Sequence, residues 1–143
     1  MKRTPMMAAL AATLALAAAP AMAVDLSEQT PTTVKVELGA KGGDLVFEPN
    51  RLAFQAGKLY KLVVENPSPT KHYFSAPRFA SAVWTRKVEA DGVEIKGSVR
   101  EIEVKPGGEA EWFFVPVKAG TFHLECTIPG HADAGMVGTI RIE

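Results

Sequence analysis

The chain has 143 residues with 16 basic and 16 acidic side chains, so it is formally neutral at pH 7. That balance excludes the basic footprint of a nucleic-acid binder and a strongly cationic membrane face. The length suits one domain, and a single cysteine rules out an internal disulfide.

Residues 1–23 read as a secretory signal. Lys2 and Arg3 give the positive start, Ala8 to Ala19 the apolar middle, and Ala21-Met22-Ala23 a small-x-small site with cleavage after Ala23. The apolar stretch is alanine-dominated, ends at Pro20 and is shorter than the roughly 20 residues a spanning helix needs. No membrane span is therefore expected in the mature form, and a periplasmic or otherwise exported location is. Removing Lys2 and Arg3 leaves 14 basic against 16 acidic residues. Residues 24–31 read as a flexible lead-in and 32–143 as one domain.

After the lead-in, short strands alternate with turn residues. Val34, Val36 and Leu38 alternate with polar positions, the pattern of a half-buried strand, and Lys41-Gly42-Gly43 breaks it. Leu45 to Phe47 and Arg51 to Gln55 follow, bent at Pro49-Asn50; Leu59 to Glu65 is an apolar run that suits an interior strand. Asn66-Pro67-Ser68-Pro69 ends it, since neither proline can donate to a ladder. Phe79 to Lys87 is expected to form one or two helical turns. Val99 to Val104, Glu109 to Val115, Gly120 to Cys126 and Val137 to Ile142 complete about eight strands with little helix. The expected fold is an all-β Greek-key sandwich or barrel with a short helical insertion.

Chemistry concentrates near the C-terminus. Cys126, His131 and Met136 are spaced with four residues in each gap, and Met136 is the one methionine outside residues 1–23. A thiolate, an imidazole and a thioether are soft or borderline donors that suit a copper ion cycling between Cu(I) and Cu(II). Phe122, Leu124 and Cys126 share one strand face, which points the thiol inward. Thr127 to Gly135 is then a loop at one pole of the sandwich. A second imidazole has two candidates. His123 lies on the opposite strand face with Glu125 and reads as solvent-facing. His72 follows the proline-rich break at a strand end and is the better choice.

The run Gly120-Thr121-Phe122-His123-Leu124-Glu125-Cys126, then Thr127-Ile128-Pro129-Gly130-His131 and Gly135-Met136-Val137-Gly138, resembles the copper loop of the cupredoxins. Its spacing is most similar to that of auracyanin and rusticyanin. Upstream, Phe47-Glu48-Pro49 through Gly57, and Val63 to Asn66, resemble the plastocyanin-like approach to the first copper histidine. The resemblance implies one copper ion per chain, held by His72, Cys126, His131 and Met136. It implies a carrier of single electrons, working as a monomer with no enzymatic step. Partners would be small redox proteins such as cytochromes or oxidase and reductase subunits, docking on Pro129, Gly130, Ala132 and Ala134 around His131. Asp133 interrupts that apolar rim, and Phe47 with Pro129 would exclude water. Tyr73 departs from the asparagine that often follows the first histidine, though its backbone N–H remains able to reach the cysteine sulfur.

Rival readings are a periplasmic copper chaperone or store, a Cys–His nucleophile and structural zinc. A chaperone usually exposes several methionines, and this mature chain has one. Neither a nucleophile nor zinc explains Met136. Trp112 reads as core, and Trp84 as packing over the sandwich end.

Overall fold

The alternation at Val34, Val36 and Leu38 builds β1 (Thr32–Leu38), which buries Val36 and Leu38 completely. This is seen in a computed structural model that describes residues 25, 26 and 28–143. The segment read as a signal sequence, its expected cleavage site and parts of the lead-in lie outside the described residues. β2 (Phe47–Glu48), β3 (Arg51–Phe54) and β4 (Tyr60–Glu65) follow, then β5 (His72–Ser75) and the single turn α1 (Pro77–Ala80). β6 (Val83–Ala90) and β7 (Val93–Ile95) form a hairpin turned at Asp91-Gly92. β8 (Glu101–Val104), β9 (Glu109–Pro116), β10 (Gly120–Glu125) and β11 (Val137–Ile142) complete the chain.

Two sheets result, ordered β2-β1-β4-β9-β6-β7 and β3-β11-β10-β5-β8. Most neighbours are antiparallel, but β1 runs parallel to β4 and β11 parallel to β3. The inner faces enclose an aromatic cluster. Phe54 meets Tyr60 and Phe114 edge-on at 4.9 and 5.1 Å, and Phe79 meets Phe114 and Trp112 at 5.3 and 5.6 Å. Each such ring contributes on the order of 1.5–3 kcal/mol by leaving water. With stability drawn from the middle of the sandwich, its poles are left for loops.

The all-β sandwich is the architecture expected from the sequence, with eleven strands among the described residues. The segment read as helical, Phe79 to Lys87, is divided: α1 stops at Ala80 and Val83 opens a strand. β-branched Val83, Thr85 and Val88 suit that strand. A bulge between Thr85 and Lys87 disrupts the two-residue alternation that would have revealed it. Trp84 consequently sits 44% exposed on β6 instead of capping the sandwich end. Trp112 is buried as expected, its indole N–H donating to Thr85 Oγ1 at 3.1 Å.

Candidate metal centre

Register brings the donors to one pole. β5 begins with His72 opposite Val104, the last residue of β8. β10 pairs with β5 at Glu125 and Ser75, so Cys126 emerges beside the start of β5. Leu124 and Cys126 point into the core, 0% and 1% exposed, as the alternation of the strand requires. The Cys126 N–H donates to the Met136 carbonyl at 3.2 Å, extending the β10–β11 ladder by one rung. Between them the loop is closed by main-chain turns: His131 N–H to Ile128 O at 3.0 Å, Ala134 N–H to Gly130 O at 3.0 Å, and Met136 N–H to His131 O at 2.9 Å. Gly135 has φ +105°, a conformation in which glycine avoids the strain of a side chain.

Both imidazoles turn Nδ1 toward the thiol. Cys126 Sγ lies 3.5 Å from His131 Nδ1 and 3.9 Å from His72 Nδ1. The nearest ligand atoms of His72, Cys126 and His131 all fall within 4.8 Å of one another, the one such cluster among the described residues. Bonds of about 2.0 Å to nitrogen and about 2.3 Å to sulfur, set about 120° apart, place two donors about 3.7 Å from each other. The two observed separations bracket that value, so the donor set fits one small ion. Met136 is fully buried and joined by backbone to both Cys126 and His131. The Tyr73 N–H donates to Cys126 Sγ at 3.4 Å, a contact open to the main chain whatever the side chain.

Burial first, and then the neighbouring His131, holds the pKa of His72 below its ordinary 6.5. The imidazole is thus neutral at neutral pH, with a lone pair to offer. Its far nitrogen, Nε2, faces Thr70 Oγ1 at 3.4 Å. Thr70 is fixed in turn by Ser68 and Asn66. The Ser68 hydroxyl and the Asn66 amide both donate to the Thr70 carbonyl at 2.8 Å, and the Asn66 amide also donates to Val104 O at 2.7 Å. Gly39 walls the other side: a Cβ there would stand 2.6 Å from His72 Nε2.

His123 is apart from this cluster, on the outer face of β10 with Glu125 Oε2 3.2 Å away. Around the half-buried His131, Pro129, Gly130 and Ala134 are exposed and Ala132 is partly buried. Pro129 is exposed at the surface of that loop. Phe47 is buried and meets Phe74 edge-on at 6.3 Å. Sequence reasoning missed Thr70, Ser68, Asn66 and Gly39 as supports of His72. The one available signal was a concentration of small hydrogen-bonding residues in the proline-rich break.

Residues 34–143 match the family model described as copper binding proteins, plastocyanin/azurin family. The copper-resistant cuproprotein CopI of Rubrivivax gelatinosus is 33% identical over 67% of this chain and 59% of its own length. Chloroplastic plastocyanin of Hordeum vulgare is 30% identical over 75% of this chain and 61% of its own. The chain thus spans about three fifths of these two relatives. Reduced auracyanin from Roseiflexus castenholzii superposes with a TM-score of 0.56 at 17% identity, covering 80% of this chain and 99% of that one. A multi-copper oxidase from Pediococcus acidilactici gives 0.60 at 21% identity, covering 87% of this chain and 28% of that one. At such identities the two superpositions speak for the fold. Sequence match, sandwich and a pair of imidazoles, one buried and one half-buried, beside a buried thiol agree, and the chain belongs to the plastocyanin/azurin family of copper-binding proteins.

Proposed function

We propose that this protein carries single electrons between redox partners in the periplasm or another exported compartment, with His72, Cys126, His131 and Met136 as copper ligands. The observation that carries the reading is the cluster itself, two Nδ1 atoms 3.5 and 3.9 Å from one thiol at a pole of the sandwich. Bound copper supplies a one-electron Cu(I)/Cu(II) couple, so a donor loses one electron, an acceptor gains it, and no bond changes in either.

The chain's own residues do the rest. The Tyr73 N–H stabilises negative charge on Cys126 Sγ. The Thr70 contact and the main-chain turns of the loop hold the imidazoles in one arrangement through both oxidation states, which keeps rearrangement small. Burial of His72, Cys126 and Met136 excludes water from three of the four ligands. His131 lies on the path to the surface, and Pro129, Gly130, Ala132 and Ala134 form a small apolar rim on which a redox protein such as a cytochrome would dock. The work is done by a monomer without catalysis, and export follows from residues 1–23.

A second reading, a copper carrier in metal resistance, is favoured by two relatives named copper-resistant cuproprotein, 33% and 23% identical to this chain. The two readings part experimentally. Purified metal-free protein given Cu(II) should develop an intense thiolate-to-copper visible band. That band should bleach and recover through repeated cycles of reductant and oxidant while the metal stays bound. Rapid loss of copper to an acceptor protein, with no reversible electron exchange, would replace the first reading with the second.

A further inference from the structure

We infer that Thr70 is a positioning residue for His72: its hydroxyl, carried on a main chain fixed by Asn66 and Ser68, holds the imidazole with the proton on Nε2 and Nδ1 open toward Cys126. The inference rests on His72 being a copper ligand. Because His72 is 0% exposed, each of its ring nitrogens must find a partner inside the protein. Nδ1 faces Cys126 Sγ at 3.9 Å. Nε2 faces Thr70 Oγ1 at 3.4 Å. A hydroxyl can donate or accept, but a thiol that donates to Nδ1 leaves the ring proton on Nε2 with the Thr70 oxygen to accept it, so the two contacts together favour the tautomer in which Nδ1 keeps its lone pair to ligate.

The main chain of Thr70 is held in place. Its N–H donates to Ser68 Oγ at 3.3 Å, and its carbonyl accepts from Ser68 Oγ and Asn66 Nδ2, each at 2.8 Å. Ser68 N–H donates to Asn66 Oδ1 at 2.9 Å, while the Asn66 backbone exchanges hydrogen bonds with Gly107 and Gly108 at 2.8 and 3.0 Å. Asn66 and Ser68 are 1% and 3% exposed, so water competes little with these bonds. Gly39 limits the ring from the other side, since an added Cβ would come within 2.6 Å of Nε2 and 3.0 Å of Cδ2. The imidazole occupies a slot in which the observed orientation gives each nitrogen a partner. His131 has no such slot, as its position comes from the main-chain turns of its loop.

The test compares Thr70→Val, which keeps the shape and deletes the hydroxyl, with Thr70→Ser, which keeps the hydroxyl. Long-range ¹⁵N–¹H NMR on metal-free protein, above the pH at which His72 protonates, reads the tautomer directly. Wild type should show the proton on Nε2. Thr70→Val should show both tautomers and lose affinity for Cu(II), titrated against a chromophoric chelator, by about 10- to 100-fold. Thr70→Ser should restore both. A role confined to packing would lower the Tm of Thr70→Val and leave the tautomer unchanged, which overturns the inference. So would a wild-type proton on Nδ1, a result that holds even if Thr70→Val fails to fold. If Cu(I) leaves the His72 ring signals unmoved, the ligand reading of His72 fails by itself, while the tautomer still reports on the Thr70 contact.

Discussion

The two arms that bring donors to the metal centre are built by different means. His72 comes from a strand end whose preceding loop is fixed by the buried side chains of Asn66 and Ser68, with the exposed Thr70 between them and the ring, and the histidine itself is sealed from water. Cys126, His131 and Met136 sit within eleven residues whose loop is held by backbone hydrogen bonds, with its tip exposed at Pro129 and Gly130. A short loop converges donors with little closure entropy. A donor arriving from 54 residues away in sequence needs supports of its own. Rigidity is therefore bought with side chains on one arm and with the main chain on the other.

The comparison is broken most completely on the loop arm. Cys126→Ser removes the sulfur that both imidazoles face. Cu(II) titration of that variant should show no thiolate-to-copper band, and any surviving band would place the thiolate elsewhere.

Gly39→Ala attacks the buried arm without replacing a ligand. The residue has φ +73°, and its new Cβ would meet His72 Nε2 at 2.6 Å and Ser68 Cβ at 2.8 Å. Urea unfolding of the metal-free variant should show a loss of about 2–3 kcal/mol, together with weaker copper binding. A variant as stable as wild type would mean that the slot around His72 is looser than the geometry indicates.

Met136→Leu returns to the loop arm with a milder change. The side chain is fully buried and leucine nearly conserves its volume, so stability should fall by less than about 1.5 kcal/mol. The visible spectrum should shift without disappearing. An unchanged spectrum would remove Met136 from the ligand set.

The smallest effect is one of pH, and it separates the arms by burial. The pKa of folded His72 is lowered by burial and by His131. The unfolded chain therefore binds the proton more readily, and the stability that neutral His72 contributes is present above pH 6.5 and lost as pH falls below it. Metal-free protein should show that decline in chemical denaturation, and His72→Gln should flatten it. A decline unchanged by the substitution would assign the titration to another group.

Much of this was legible in the sequence for a physical reason. Where one face of a strand is buried, alternation is visible, and Val34-Val36-Leu38 and Phe122-Leu124-Cys126 could be placed from residue types alone. The donor spacing on one loop is local and needs no knowledge of the fold. β6 was hidden because the bulge at Arg86 shifts the alternation midway and Trp84 remains exposed. β5 was hidden because His72-Tyr73-Phe74-Ser75 is buried at three of its four positions and shows no alternation of apolar with polar residues. The supports of His72 could not be read because they depend on register: Asn66 reaches Val104 across 38 residues, and Gly39 approaches His72 from a different strand connection.

The placement of β11 has a consequence for how the molecule is made. This last strand runs from Val137 to Ile142 and pairs with β10 on one side and β3 on the other, directly after Met136. The Cys126–Met136 rung and the β3 pairing, both long-range or late in the chain, form only when that strand docks. Contacts of such separation come slowly during folding. Until β11 docks, the Cys126–Met136 rung is unmade and nothing holds Met136 against the other donors, so the pocket is expected to close around a metal only once that pairing is in place.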